Sequence, residues 1–424
     1  MRVRYVYSAC VVIETADVKI LCDPWFTPGA YDGAWYQYPP IDDPVATIGP
    51  ADLVYISHIH PDHYDPRFLR RYLAAYPTAQ LIIGAQQPPY LANKMHLDGF
   101  APHVVDALAV GGTDLLIPIN YTSGDPKSEI DSALAVRAAG RSVVNLNDNP
   151  FAPDQVARIR EFCGDRIDFA LLPYAGAGPY PQTFHFADRR LLEAAVEEKR
   201  RQFKALFARY LEALDPIKAM PFAGKYYLGG ALAPLNPYRG IPDAVELIAR
   251  HGDRVMVLAD GGKAYYDVER SIASASRTEP YDQAAIERHL RTVGAGGFDY
   301  EREVAPYPDH PLPILPLLAA AKSRARTKVK LADPYWLVIR PEMGEKSFAL
   351  NLADDRAPSA FPPDACFAHL EPRLEMTIDD RYLFGLLSRL YHWNNAEIGS
   401  HYRSLRVPET YRPAVYQFLN MLQV

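Results

Sequence analysis

The sequence predicts a layered α/β protein: two β-sheets with helices on their outer faces, followed by a smaller α+β domain. Three observations predict it. Hairpin-like apolar runs come early in the chain and strand–helix alternation comes later, the pattern of two sheets covered by helices. The apolar run Leu53-Val54-Tyr55-Ile56 leads into a polar loop and then Asp65-Pro66, a good N-cap and first helical residue for the amphipathic stretch Arg67 to Tyr76. Composition turns charged and polar near 265–305, and 424 residues exceed one average domain. The expected units are 1–265 and 266–424.

In order, residues 2–25 read as two strands around Glu14-Thr15-Ala16-Asp17, ending in Leu21-Cys22-Asp23-Pro24-Trp25. A loop at 26–50 is rich in proline and aromatics, Trp35, Tyr36 and Tyr38 among them. Strand 52–57, the polar loop and helix 66–76 follow. Short strands are expected at 81–83 and 103–105 with a helix near 89–98 between them, then strands near 114–119, 132–137 and 142–147. Helix 153–163, strand 167–173, a Gly/Pro loop from Tyr174 to Pro181, a long helix 188–214, strand 217–222, helix 242–251 and strand 254–259 complete the first unit. The second carries helix 312–325, a hairpin of Tyr335–Arg340 with Ser347–Asn351 around Gly344-Glu345, a strand at 366–377 and a helix at 379–393.

A net charge of −6 argues against a nucleic-acid partner. No stretch approaches about 18 uncharged apolar residues, so no membrane span is expected. The N-terminus opens directly into strand-like sequence rather than a signal peptide. Cys10, Cys22, Cys163 and Cys366 form no CxxC pair and suit free thiols in a reducing cytoplasm.

The most informative string is His58-Ile59-His60-Pro61-Asp62-His63. In an extended segment alternate side chains share a face, so His58 and His60 can grip one cation. Asp62 and His63, past the bend, can reach a second. Imidazole with carboxylate suits zinc, iron or manganese, and the absence of thiols argues against a structural zinc ribbon. One loop cannot fill two sites, so further ligands are expected from the ends of the putative 132–147 hairpin. Asp148 ends the run Val143-Val144-Asn145-Leu146, where it could bridge two cations. Glu129 is the other candidate, with Asp131 competing for its role or orienting a ligand from behind.

The HxHxDH string, the Leu-Cys-Asp-Pro-Trp approach and the strand-ending Asp148 resemble the metallo-β-lactamase superfamily. More narrowly, Glu129-Ile130-Asp131-Ser132, Asn145-Leu146-Asn147-Asp148, the stretch from Tyr174 to Phe184 and Pro221-Phe222-Ala223-Gly224 resemble the catalytic region of CMP-N-acetylneuraminate hydroxylase. The resemblance covers about residues 1–265 and implies an αββα sandwich with the C-terminal α+β domain appended. It implies first-site ligands His58 and His60, second-site ligands Asp62 and His63, and Asp148 as the bridge. Hydrolytic members usually carry a His near position 129, where this chain has Glu129, and a final His near 221–224, where it has none; His185 is the only late His within reach by sequence order. Carboxylate for imidazole makes a site harder and favours iron or manganese over zinc. A Rieske cluster needs paired Cys and His, and here Cys366-Phe367-Ala368-His369 stands alone.

These readings give two expectations. The first is a non-haem diiron oxygenase that hydroxylates a small polar substrate and draws electrons from a separate donor. The second is a dinuclear hydrolase of a lactone, phosphodiester or thioester. Asp62 and Asp148 are the catalytic candidates in either. Tyr174, Tyr180, Lys225 and Tyr226, in loops near strand ends, are candidate substrate contacts, with Arg239 a further cation. His392-Trp393-Asn394-Asn395-Ala396-Glu397 reads as a cap, a packing element or a polar recognition loop.

Overall fold

The computed structural model of the chain describes residues 1–120, 130–164, 166–304 and 312–424. Two sheets face one another. The first has the strand order 272–273, 265–267, 2–7, 10–14, 19–22, 53–56, 80–83, 103–104; the second has 218–222, 169–173, 141–145, 134–138, 113–116, 107–110. Alternation sorts each strand's residues between two layers. Val3, Val11, Ile13, Ile20, Leu53 and Tyr55 point into the space between the sheets and meet Leu115, Leu134, Val136, Phe169, Leu171 and Met220 from the other side. The intervening residues Val6, Val12, Leu21, Val54 and Ile56 point outward and are covered by Phe68, Leu69 and Tyr72 of the helix Pro66–Ala75 and by Leu91 and Met95 of Tyr90–Leu97. On the far side Val144, Ala170 and Leu172 pack under Ile159 of Pro153–Cys163 and under Phe207, Tyr210 and Leu211 of Arg189–Leu214. The layering is αββα, as the sequence predicts.

Some elements differ from expectation. Residues 2–14 form two strands, Arg2–Tyr7 and Cys10–Glu14, because the chain reverses at Ser8, which takes a left-handed φ of 47°. No Gly, Pro or Asn marks that turn. Residues 254–259 form no strand; only Val255 bridges Ala219 and Leu258 bridges Ser276. The helix expected over 379–393 is two, Asp380–Leu387 and Trp393–Ile398, separated at Arg389, which has φ 66°. The strand Tyr265–Asp267 pairs with Arg2–Arg4 of the first sheet, so the boundary expected after 265 falls inside it. The helix Gln283–Val293 also packs on this side, with Ile286 and Leu290 against Tyr36.

The C-terminal unit has a five-stranded sheet, in the order 359–361, 347–351, 336–341, 373–378, 402–407, and its own core. Leu337, Ile339, Leu374 and Met376 pack against Leu318 and Ala321 of the helix Ile314–Lys328 and against Tyr382, Leu383 and Leu386. Among its ties to the sandwich are the following. The Gly/Pro loop after Phe169–Pro173 pairs with the edge strand Tyr402–Val407, where His185 N donates to Ser404 O at 2.8 Å and Ser404 N donates to Thr183 O at 2.9 Å. His401 Nε2 donates to Tyr31 O at 2.7 Å. Tyr382 donates its hydroxyl to Asp32 Oδ2 at 2.6 Å.

Candidate metal centre

The polar loop begins where the strand Leu53–Ile56 ends and stops where Asp65 caps the next helix, accepting from Phe68 N at 2.9 Å. Asp65 also accepts from Thr27 N at 2.7 Å, which ties the loop to the aromatic segment before it. The loop's three imidazoles are held from outside by different acceptors. His58 Nδ1 lies 2.9 Å from Ser57 Oγ, whose own proton goes to Asp23 Oδ2 at 2.7 Å. His63 Nδ1 donates to the same Asp23 Oδ2 at 3.0 Å. His60 Nε2 donates to Asn394 Oδ1 of the C-terminal unit at 3.1 Å. With these outer nitrogens carrying the protons, the inner nitrogens present lone pairs.

Those lone pairs converge. His58 Nε2 and His60 Nδ1 are 2.8 Å apart, close enough to share one proton or to face one cation. Among the described residues, His63 Nε2 and Asp148 Oδ1 are both buried without a hydrogen-bond partner, 3.5 Å from one another. Asp62 Oδ2 lies 3.5 Å from the same His63 nitrogen, while Asp131 Oδ1 and Asp148 Oδ1 each lie 3.9 Å from His58 Nδ1, the nitrogen on the Ser57 side. Ligand atoms of His58, His60 and Asp148 all fall within 4.8 Å of one another. Buried, partnerless donors of the types that bind divalent cations fit a metal site.

The field of the cluster gives the same picture. Burial would push the Asp148 carboxyl up, but His63, His58 and His60 outweigh it and hold it well below the usual carboxylate range. Burial would depress His63, yet Asp148, Asp62 and Asp23 together hold it well above the ordinary imidazole value. His60 is pushed down to about 3, by burial first and then by His58. Asp62 and Asp131 are raised by burial. The pocket therefore favours neutral imidazole at His60, as metal coordination requires, and positive charge beside Asp148, carried by the His63 imidazolium, whose proton a bound cation would have to displace.

Asp148 owes its position to a turn. The strand Arg141–Asn145 pairs with Leu134–Ala138, Leu134 opposite Asn145, so Asp131 and Asp148 leave the same end of the hairpin. Asn147 is left-handed at φ 54°, a conformation Asn tolerates, and its side-chain amide donates to Ser132 O at 3.0 Å. Asp23, also left-handed at φ 40°, is fully buried and additionally accepts from Ser57 N at 2.7 Å. Its orienting role was not read from the sequence, although an acid ending the Leu-Cys-Asp-Pro-Trp run was the available signal. Glu129 lies outside the described residues.

The cluster opens into a cleft of about 570 Å³. His60, Asp62, Asp131 and Asp148 form one end. Tyr226 lines the wall, stacked on Trp35 with ring centroids 3.3 Å apart, and Arg239 Nη1 donates to Tyr226 O at 2.6 Å. Lys225 also lines it, but its ammonium pairs with Asp260 at 2.7 Å and burial pushes it down to about 8. Tyr31 donates its hydroxyl to Asp62 Oδ1 at 2.5 Å. Tyr174 is buried in the core between the second sheet and its helices, and Tyr180 donates to Glu409 on the surface; neither lines the cleft. His185 is exposed and pairs only through its backbone with the C-terminal sheet. The opposite wall comes from the C-terminal unit: Asn394, Glu397, Tyr411, Tyr416, Gln417 and Asn420. Burial pushes Glu397 up to about 7. Nothing in the sequence reading assigned these last residues except the motif around Asn394 and Glu397.

Residues 2–142 match the family model described as beta-lactamase superfamily domain. Among curated relatives, a putative Rieske 2Fe-2S iron-sulfur protein of Mycolicibacterium smegmatis is 27% identical over 346 residues, 76% of this chain and 62% of the relative. Cytidine monophosphate-N-acetylneuraminic acid hydroxylase of Mus musculus is 25% identical over 248 residues, 53% of this chain and 39% of that protein. The chain thus spans well short of the full length of either. Among solved structures, CmlA, a diiron beta-hydroxylase from Streptomyces venezuelae, overlaps at a TM-score of 0.40 with 19% identity, over 60% of this chain and 52% of that one. An isothiocyanate hydrolase from Delia radicum gut bacteria overlaps at 0.43 with 16% identity, over 62% of this chain and 97% of that one. At these values neither overlap speaks to the chemistry of this chain. Among the described residues, no helix is long and apolar enough to cross a membrane.

Proposed function

We propose that the chain is a dinuclear metal-dependent enzyme, and that it is a non-haem diiron oxygenase hydroxylating a small polar substrate. One observation carries this reading: three inward-facing imidazoles and the carboxylates of Asp62, Asp131 and Asp148 gather at the end of a cleft of substrate size. The donor set holds no thiol and as many carboxylates as imidazoles, the hard, anionic kind that favours iron or manganese. His58 and His60 would hold one ion and Asp62 and His63 the other, with Asp148 between them. Glu129 remains a proposed ligand. When bound, iron supplies the activation of dioxygen.

The chain's own residues supply the rest. Tyr31 keeps Asp62 aimed inward, and the Trp35–Tyr226 stack gives the substrate an apolar wall beside the polar end. Hydroxylation consumes R–H, O₂, two electrons and two protons and yields R–OH and water. The electrons would come from a separate donor. The relatives whose names include a Rieske protein and a hydroxylase support that chemistry.

The test is elemental analysis of protein purified without added metal, followed by Mössbauer spectroscopy of ⁵⁷Fe-grown material. Two irons per chain with a coupled diiron signal are expected. Stoichiometric zinc with turnover of a lactone, phosphodiester or thioester would replace the oxygenase by the hydrolase.

A further inference from the structure

We propose that Asn394, on the first turn of the helix Trp393–Ile398, is a positioning residue for the metal centre. Its amide oxygen holds the His60 ring so that Nδ1 faces His58 and the cluster. The inference rests on the reading of this cluster as a metal site and gives the C-terminal unit a part in building it.

The argument starts from the three imidazoles. Each needs an acceptor on its outer nitrogen to fix which nitrogen keeps the proton and which offers the lone pair. For His58 that acceptor is Ser57, the preceding residue. For His63 it is Asp23, at the end of the adjacent strand Lys19–Cys22. Both come from the sandwich. Among the described residues His60 has no such partner there; its Nε2 meets Asn394 Oδ1, 334 positions further along the chain. A histidine ring rotates about its second side-chain torsion between two broad, similar wells. A half-turn of His60 would put a ring carbon where Nδ1 now lies 2.8 Å from His58 Nε2. The bond to Asn394 selects between the two orientations.

Asn394 is itself firmly held. His392 Nδ1 accepts from Asn394 N at 3.2 Å and caps the helix. The neighbouring Trp393 is 1% exposed and donates its indole N–H to Leu422 O at 2.7 Å. The amide thus stands on a helix anchored in the C-terminal core, reaching across the cleft mouth to a ligand of the sandwich.

The experiment uses the full chain with cobalt(II) as probe, competed against a chelator, together with ¹⁵N shifts of the His60 ring in the zinc-loaded protein. Asn394→Ala is expected to weaken cobalt binding about 10- to 100-fold, the usual cost of losing such a partner, and to lose the Nε2–H tautomer signature. Asn394→Asp, which keeps the acceptor, is expected to restore both. Asn395→Ala, on the same turn, serves as the control for helix integrity and should bind as the parent does. Cobalt affinity and ring shifts unchanged in Asn394→Ala would overturn the role of Asn394 alone. Equal loss in Asn394→Ala and Asn394→Asp would do so too. A parent chain that takes up no cobalt would overturn the metal reading as well.

Discussion

The imidazole half and the carboxylate half of this site are built in opposite ways. The imidazoles come from six consecutive residues between one strand and one helix, a local arrangement set by the cap at Asp65 and the bend at Pro61. Apart from Asp62, which the same loop supplies, the carboxylates are assembled over distance. Asp131 and Asp148 arrive from the second sheet and Asp23 from the next strand of the first. The local half can be read as a motif. The distant half depends on sheet register, because a one-residue slip between Leu134–Ala138 and Arg141–Asn145 would turn Asp148 to the other face. Motif recognition therefore locates such a centre, whereas its charge balance is decided by tertiary structure.

The largest expected effect comes from removing the charge that joins the halves. Asp148→Asn keeps the shape but leaves His58 and His63 without their shared anionic neighbour. Metal affinity should fall beyond the roughly 100-fold that marks the upper end for outer partners, and bound metal measured by plasma mass spectrometry should drop to at most one ion per chain. Full occupancy in this variant would mean that the imidazole half suffices alone. Asp23→Ala should cost less, about 10- to 100-fold in affinity by chelator competition. It removes the acceptor of His63 Nδ1 and of Ser57 Oγ but touches no inner atom. A loss as large as that of Asp148→Asn would make Asp23 a ligand instead of an orienting group.

Much of the fold was legible because the sandwich follows simple periodicities. Strands such as Leu53–Ile56 and Phe169–Pro173 are short apolar runs, and the helices Pro66–Ala75 and Pro153–Cys163 open with Pro at the first position. What escaped was set by contacts far along the chain. The reversal at Ser8 has no Gly, Pro or Asn, and its left-handed backbone is stabilised by sheet pairing on both sides. The run 254–259 is as apolar as a strand but satisfies its backbone with isolated bridges. At the site, HxHxDH announced His58, His60, Asp62 and His63, and Asp148 could be inferred from the end of an apolar run. Tyr174 and Tyr180 read as cleft contacts because loop tyrosines look alike in sequence, but one is packed in the core and the other donates to Glu409 on the surface, whereas Lys225 and Tyr226 do line the cleft. Of the C-terminal wall only the stretch around Asn394 and Glu397 stood out, as a cap, a packing element or a recognition loop; only folding brings it and Asn420 opposite Asp62.

The seam between the sandwich and the C-terminal unit sharpens the comparison at a smaller scale. Asp32 sits on that seam, next to Tyr31, which holds Asp62. Burial pushes its carboxyl up to about 7, Asp299 and Glu303 add to the effect, and the hydroxyl of Tyr382 opposes it. The ordinary carboxyl titrates near 3.9 in an unfolded chain. Between about pH 4 and pH 7 the folded protein thus keeps a proton that the unfolded chain has released, and stability falls as pH rises through that window. Asp32→Asn removes the titration while keeping an acceptor for Tyr382. Relative to the parent it should be unchanged at pH 4 and more stable at pH 8, by on the order of 1 kcal/mol after allowance for solvent screening, in denaturant unfolding at the two pH values. A difference between variant and parent that stays flat across the window would mean that Asp32 is ionised in the folded chain, and that the seam carries a charge which the aspartates of the metal centre would feel.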